Sequence, residues 1–151
     1  MNVASTQYTL SMESLDIYFS GCNPPHCKEC HNSELWEFVD DNNYLEKFKE
    51  IKKKVKDFDI LIENIMLFGG EPMDQDHLEL IDFLEKLKIL NKKIFLFTRY
   101  DLGEVPYRVR RLCDYIKCGR YIKNLKTENN VQFGITLATS NQKIYKKDKD
   151  Y

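Results

Sequence analysis

The sequence predicts an α/β fold: a single small domain of 151 residues with a partial barrel or curved sheet. Three observations carry this expectation. Short apolar runs rich in strand formers alternate with longer stretches whose apolar residues recur every three or four positions, a pattern of parallel strands joined by helical crossovers. The length suits one domain and falls short of the roughly 250 residues of a complete eightfold barrel. Apolar residues make up 42% of the chain and aromatics 13%, enough for a core that needs no disulfide staples.

In chain order, Leu15 to Phe19 alternates as a strand does and runs straight into Ser20-Gly21-Cys22. From Cys22 to Asn32, two prolines and no apolar period mark a loop. Beyond a short stretch around Leu35 and Trp36, Tyr44 to Phe58 reads as a helix with Leu45, Phe48, Ile51 and Val55 on one stripe. Asn64 to Phe68 is a buried strand ended by Gly69-Gly70, followed by a helix from Asp76 to Leu90 that aligns Leu80, Leu84 and Leu87. Ile94 to Phe97 is a further buried strand closing at Thr98-Arg99. Val105 to Leu112 reads as a helix that tolerates Pro106 in its first turn. Tyr115 to Lys117 and Phe133 to Leu137 are weaker strands. Residues 146–151 form a charged tail expected to fray.

Charge and hydropathy narrow the functional classes. Lys and Arg total 23 against 24 Asp and Glu, a balance with no global pull toward nucleic acid or an anionic membrane. No apolar run approaches the ~18 residues of a membrane span. Met1 to Leu10 lacks the basic start and apolar block of a signal peptide, so the expected location is cytoplasmic.

Five cysteines is an odd count, and Cys22, Cys27 and Cys30 fall within nine residues. In a reducing compartment such crowding points to metal or redox chemistry rather than disulfides. Three thiolates on a turn-rich loop suit a [4Fe–4S] cluster, whose fourth iron then stays open to another ligand. Two other readings stand beside it. A zinc site would add His26 or His31 to the three cysteines, and a redox pair would use Cys27 and Cys30 alone. Cys113 and Cys118 have no cysteine partner nearby and are expected to serve as buried packing.

In parallel α/β folds, chemistry gathers at the carboxyl ends of the strands. The cysteine loop, Gly69-Gly70-Glu71-Pro72 and Thr98-Arg99 each follow a different expected strand. Glycines let a ligand approach the backbone closely, and a carboxylate beside them can accept hydrogen bonds from an ammonium group.

Cys22-Asn-Pro-Pro-His-Cys27-Lys-Glu-Cys30 resembles the cysteine signature of the radical S-adenosylmethionine (SAM) superfamily. That signature usually leaves three residues and then two between cysteines; here the first gap holds four. His31-Asn-Ser-Glu-Leu-Trp36 is similar to the stretch after the third cysteine in glycyl-radical activating enzymes, and Gly69-Gly70-Glu71-Pro72 to the motif that holds the SAM amino group. Phe97-Thr98-Arg99-Tyr100 resembles the end of the third strand in small activases, with Arg99 standing where they have glycine. Asp114 to Tyr121 and Leu137 to Tyr145 extend the resemblance to the activators of anaerobic ribonucleoside-triphosphate reductase, although Cys118 replaces an acidic residue.

The resemblance implies a partial (β/α) barrel of the radical SAM type. It also implies a cluster on Cys22, Cys27 and Cys30, and SAM contacts from Gly69, Gly70, Glu71, Thr98 and Arg99. It further implies a flavodoxin-like electron donor, and reductive cleavage of SAM to a radical that takes hydrogen from a glycine of a glycyl-radical enzyme, here anaerobic ribonucleotide reductase.

Overall fold

A computed structural model describes the whole chain, Met1–Tyr151. Its strands are β1 (Val3–Thr9), β2 (Ser14–Phe19), β3 (Asn64–Gly69), β4 (Lys93–Phe97), β5 (Tyr115–Cys118), β6 (Val131–Gln132), β7 (Ile135–Thr136) and β8 (Lys143–Lys146). The helices are α1 (Tyr44–Asp57), α2 (His77–Lys88) and α3 (Tyr107–Leu112). Six strands make one mixed sheet in the order β1-β2-β3-β4-β5-β8, and β6 pairs with β7 in a separate hairpin. The sheet does not close into a barrel. No helix is long and apolar enough to cross a membrane.

The expected parallel set is β2, β3, β4 and β5. Both edge strands run antiparallel to it, β1 on β2 and β8 on β5. Neither edge carries an apolar period. In β1 only Val3 is fully buried, and in β8 only Ile144.

Alternation along the central strands gives the sheet two different faces. Leu15, Ile17, Phe19, Ile65, Leu67, Ile94, Leu96 and Ile116 point toward the helices and join Ile51, Val55, Leu80, Phe83, Leu84, Leu87 and Val109 in the main core. The opposite face carries Asp16, Met66, Phe68, Phe97 and Lys117 along a cavity. An aromatic row crosses it, Tyr18 to Phe68 at 5.6 Å and Phe68 to Phe97 at 4.2 Å between ring centroids. Lys117, which pairs with Phe97 across the sheet, ends that row.

Four expectations need correction. On α1, Leu45 faces solvent, and Tyr44 packs in its place, edge-on to Phe83 with its hydroxyl donating to Asp82 at 3.1 Å. Helix α3 begins only at Tyr107, because Pro106 sits at its N-cap with ψ 143 instead of inside the first turn. Phe133 to Leu137 is no continuous strand: Phe133 and Gly134 both take positive φ and form the turn of the β6–β7 hairpin. The ending at 146–151, expected to fray, is docked. Lys146 N–H donates to Asp150 at 2.7 Å, and the Tyr151 hydroxyl donates to the Cys113 carbonyl at 3.1 Å.

Candidate metal centre

Three chain segments that leave the carboxyl ends of β2, β3 and β4 meet above the sheet. Gly70 N–H donates to the Phe19 carbonyl at 2.9 Å and Glu71 N–H to the Gly21 carbonyl at 2.7 Å, so the two loops are tied backbone to backbone. The glycine pair answers to this contact. A Cβ on Gly70 would lie 2.1 Å from the Gly21 oxygen, and Gly69, at φ +113, backs against Phe19. On the other side, Gly21 and Cys22 N–H donate to the carbonyls of Leu35 and Trp36 at 2.8 and 2.9 Å. The cysteine loop therefore opens from a fixed stem.

Gln75, which the sequence did not single out, reinforces that stem. Its buried amide donates to the carbonyls of Ser20, Gly21 and Glu71 at 3.0, 3.3 and 3.2 Å. His26 has a structural engagement of its own. Its ring stacks on Trp36 at 4.1 Å, and Nε2 lies 2.8 Å from the Cys22 carbonyl.

Arg99, which lines the cavity, is also engaged within the protein. Its guanidinium donates to Asp74 Oδ2 at 2.9 Å and to the Pro25 carbonyl at 2.9 Å, with both partners of the ion pair almost fully buried. Asp74 also accepts from Asn23 N–H and the Tyr100 hydroxyl, each at 2.6 Å. These contacts make Arg99 and Asp74 a clamp that holds the Asn23–Pro25 part of the cysteine loop to the ends of β3 and β4.

Glu71 is 3% exposed and accepts three hydrogen bonds, from Met73 N–H at 3.0 Å, the Thr98 hydroxyl at 2.7 Å and Arg99 N–H at 2.9 Å. Burial pushes its pKa above the ordinary carboxylate value, against the pull of those bonds. Glu71 and Thr98 thus form one polar unit joining neighbouring strand ends.

These segments surround a cavity of about 500 Å³, a size that suits a small-molecule ligand. Cys27, Cys30, Gly69, Gly70, Glu71, Thr98 and Arg99 all line it. Cys22 lies just behind, 8% exposed, where burial pushes its thiol up to about 11. Coordination to a metal would hold such a thiol deprotonated. All five cysteines are free. Cys113 at the end of α3 and Cys118 at the end of β5 are buried on the helix side of the sheet, away from the cavity.

The donor set fits an iron–sulfur cubane. No group of three His, Cys, Asp or Glu side chains is gathered closely enough in this structure to hold a single metal ion. A cubane makes a different demand, since its cysteines bind different irons at separate corners.

A family model described as a 4Fe-4S single cluster domain matches residues 14–145. The chain belongs to that family. The matched span runs from the first residue of β2 into β8, so it takes in the cysteine loop, the cavity and the four parallel strands. No curated protein matches the chain. A 4Fe–4S single cluster domain accounts for three unpaired thiols on a loop held by a stem, a clamp and a stacked histidine.

Two further residues line the cavity: Gln142, which the sequence reading placed in a polar turn and in the resemblance, and Lys117, which it did not single out. Gln142, 6% exposed, donates to the Gly119 carbonyl at 3.2 Å and accepts from Thr139 N–H at 3.2 Å, which anchors the Ser140-Asn141-Gln142 turn beside β5. Lys117 donates to the Gly119 carbonyl at 2.8 Å, and burial draws its pKa down to about 8 against the opposing charge of Glu71. A lysine whose strand neighbours Ile116 and Cys118 both face the core is the signal that could have found it.

Proposed function

We propose that this 4Fe–4S single cluster domain is a radical SAM activase. In this reading it cleaves SAM reductively and generates a glycyl radical on a partner enzyme, with anaerobic ribonucleoside-triphosphate reductase as the partner. The observation that carries the reading is the convergence of Cys27, Cys30, Gly69, Gly70, Glu71 and Thr98 on one cavity at the ends of neighbouring parallel strands.

Cys22, Cys27 and Cys30 would hold three irons and leave the fourth to the amino and carboxylate groups of SAM. Gly69 and Gly70 offer backbone approach, and Glu71, fixed by three donors, keeps acceptor capacity for the SAM ammonium. When bound, the cluster supplies one electron, drawn from a flavodoxin-like donor, that breaks the sulfonium bond. That chemistry would convert SAM to methionine and 5′-deoxyadenosine, the latter carrying the Cα hydrogen of the partner glycine, and would leave a glycyl radical on the partner. The open sheet favours a partner loop over a small substrate as the hydrogen donor. In this reading it is a partial form of the radical SAM barrel, and its helix-free face leaves room for that loop.

Anaerobic reconstitution with iron and sulfide tests the reading. The expected result is about four irons per chain, as a cubane requires, and release of 5′-deoxyadenosine when reductant and SAM are added. A glycyl doublet should then appear by electron paramagnetic resonance with the reductase. A doublet with another glycyl-radical enzyme alone would change the partner. A cluster that never cleaves SAM would make the chain a non-catalytic adaptor.

A further inference from the structure

The two edges of the sheet are finished differently. On β8 the Ile144 and Lys146 N–H groups donate to Gln132 Oε1 at 2.8 Å and Asp150 Oδ2 at 2.7 Å, so side chains close that edge. On β1 only Val3 is closed, its N–H donating to Asn43 Oδ1 at 2.8 Å and its carbonyl accepting from Asn43 Nδ2 at 3.2 Å. From Ala4 to Thr9 the backbone bonds to β2 alone. An open edge of this kind is a template for another strand, and proteins commonly blunt it with charge or proline. Here no charged side chain and no proline occurs before Glu13. Beside the edge lies a groove of about 290 Å³, walled by Tyr8, Leu15, Phe58, Leu61, Ile62 and Lys54. Tyr8, Phe58 and Leu61 are exposed. The Lys54 ammonium donates to the Thr6 hydroxyl at 2.6 Å, and the acids three and four residues away on its helix, Asp57 and Glu50, pair with Lys53 and Lys47 instead.

We propose that β1 and this groove form a docking site for an extended segment of a partner protein, acidic and apolar in character, which adds a strand to the sheet. Strand addition takes affinity from the backbone and specificity from pockets that receive alternate side chains. Thr6 and Tyr8 point to the same face, opposite Ile17 and Leu15. A strand laid antiparallel on β1 therefore sets an apolar side chain over the groove at Tyr8 and, two residues on, an acidic one at Lys54. Charge decides the occupant. Helix α1, whose cap Asn43 and Lys54 both lie along this edge, carries six lysines against three acidic residues. Pairing with a second copy about a twofold axis brings two such helices together, whereas an acidic segment compensates their charge. The groove lies at the Leu15 end of β2 and the cysteine loop leaves the Phe19 end, so this site is separate from the candidate metal centre.

The test uses the reconstituted full chain and a peptide with blocked ends, Thr-Val-Thr-Leu-Thr-Glu-Thr-Val-Thr, beside a twin in which lysine replaces the glutamate. Calorimetry should show the glutamate peptide binding at least about fivefold more tightly than its twin, the factor that about 1 kcal/mol of ion pairing gives. Lys54→Glu should reverse that order. Amide hydrogen exchange should slow at residues 4–9 when the glutamate peptide is added and stay unchanged at Lys143–Lys146. No binding at about 1 mM, equal affinity for the twins, or binding that leaves residues 4–9 unprotected overturns the proposal. Protection of residues 4–9 that rises with protein concentration in the absence of peptide overturns it as well, because the occupant is then a second copy. Cluster absorbance and melting temperature report whether Lys54→Glu has folded. If it has not, Lys54→Gln takes its place and should bring the two peptides within about twofold of each other.

Discussion

Replacing Arg99 with methionine distinguishes a clamp from a ligand contact. The Arg99 side chain is 9% exposed and that of Asp74 is 3%, at a separation of 2.9 Å. Removing one member of a buried pair leaves the other charged and uncompensated, which costs about 3–5 kcal/mol. Asp74 would keep two donors, Asn23 N–H and the Tyr100 hydroxyl, which places the loss near the lower end. A chain of this size moves about 2–4 °C per kcal/mol. Arg99→Met should therefore melt roughly 6–12 °C below the unsubstituted protein. It should also retain less iron, because Pro25 loses its nearer guanidinium and keeps only Arg120 at 3.4 Å. Arg99→Met with Asp74→Asn removes the stranded charge and should recover part of the melting temperature. Anaerobic calorimetry and iron analysis read both effects. If Arg99→Met melts within about 1 °C of the unsubstituted protein and holds full iron while SAM affinity falls, the clamp is wrong and Arg99 serves the ligand.

Two other expectations follow from the same geometry. Alanine at Cys22, Cys27 or Cys30 should each abolish stable cluster loading, whereas Cys113→Ala and Cys118→Ala, on the helix side of the sheet, should keep it; visible absorbance after reconstitution decides, and iron loss from Cys118→Ala alone would overturn the ligand assignment. Tyr151→Phe removes the bond to the Cys113 carbonyl, worth about 1 kcal/mol, and should lower the melting temperature by about 2–4 °C, whereas a chain whose last residues fray would show no change.

What the sequence made legible follows from how strongly each element is forced. Strands β2, β3 and β4 and helix α2 are buried and apolar enough to appear as runs or stripes, so Leu80, Leu84 and Leu87 could be named and prove to be fully buried. Strands β1 and β8 escaped because an edge strand need bury little. Val-Ala-Ser-Thr-Gln-Tyr-Thr and Lys-Ile-Tyr-Lys hold their places by backbone pairing with β2 and β5, which leaves no hydrophobic period to read. The cysteine loop was legible because three thiols so close together have few uses in a reducing compartment. Asp74 was not. A single carboxylate becomes a clamp only when folding brings Asn23, Arg99 and Tyr100 around it.

The glycine pair shows that residues read for a ligand also have a role inside the fold. Read alone, Gly69-Gly70 invites a ligand. In the structure Gly70 first admits the Gly21 carbonyl, at a distance no side chain would allow, and that contact brings the cysteine loop over the end of β3. Glu71 follows the same logic. Its three hydrogen bonds tie Met73, Thr98 and Arg99 together before any ligand arrives. The site is thus organised by contacts between its own loops. Position on the sheet, more than free hydrogen-bonding capacity, decides which groups remain for a ligand. Lys117 meets that condition better than Arg99. It lies on the helix-free face with its ammonium on the Gly119 carbonyl and in no ion pair, whereas Arg99 is already committed to the loop that carries the cysteines.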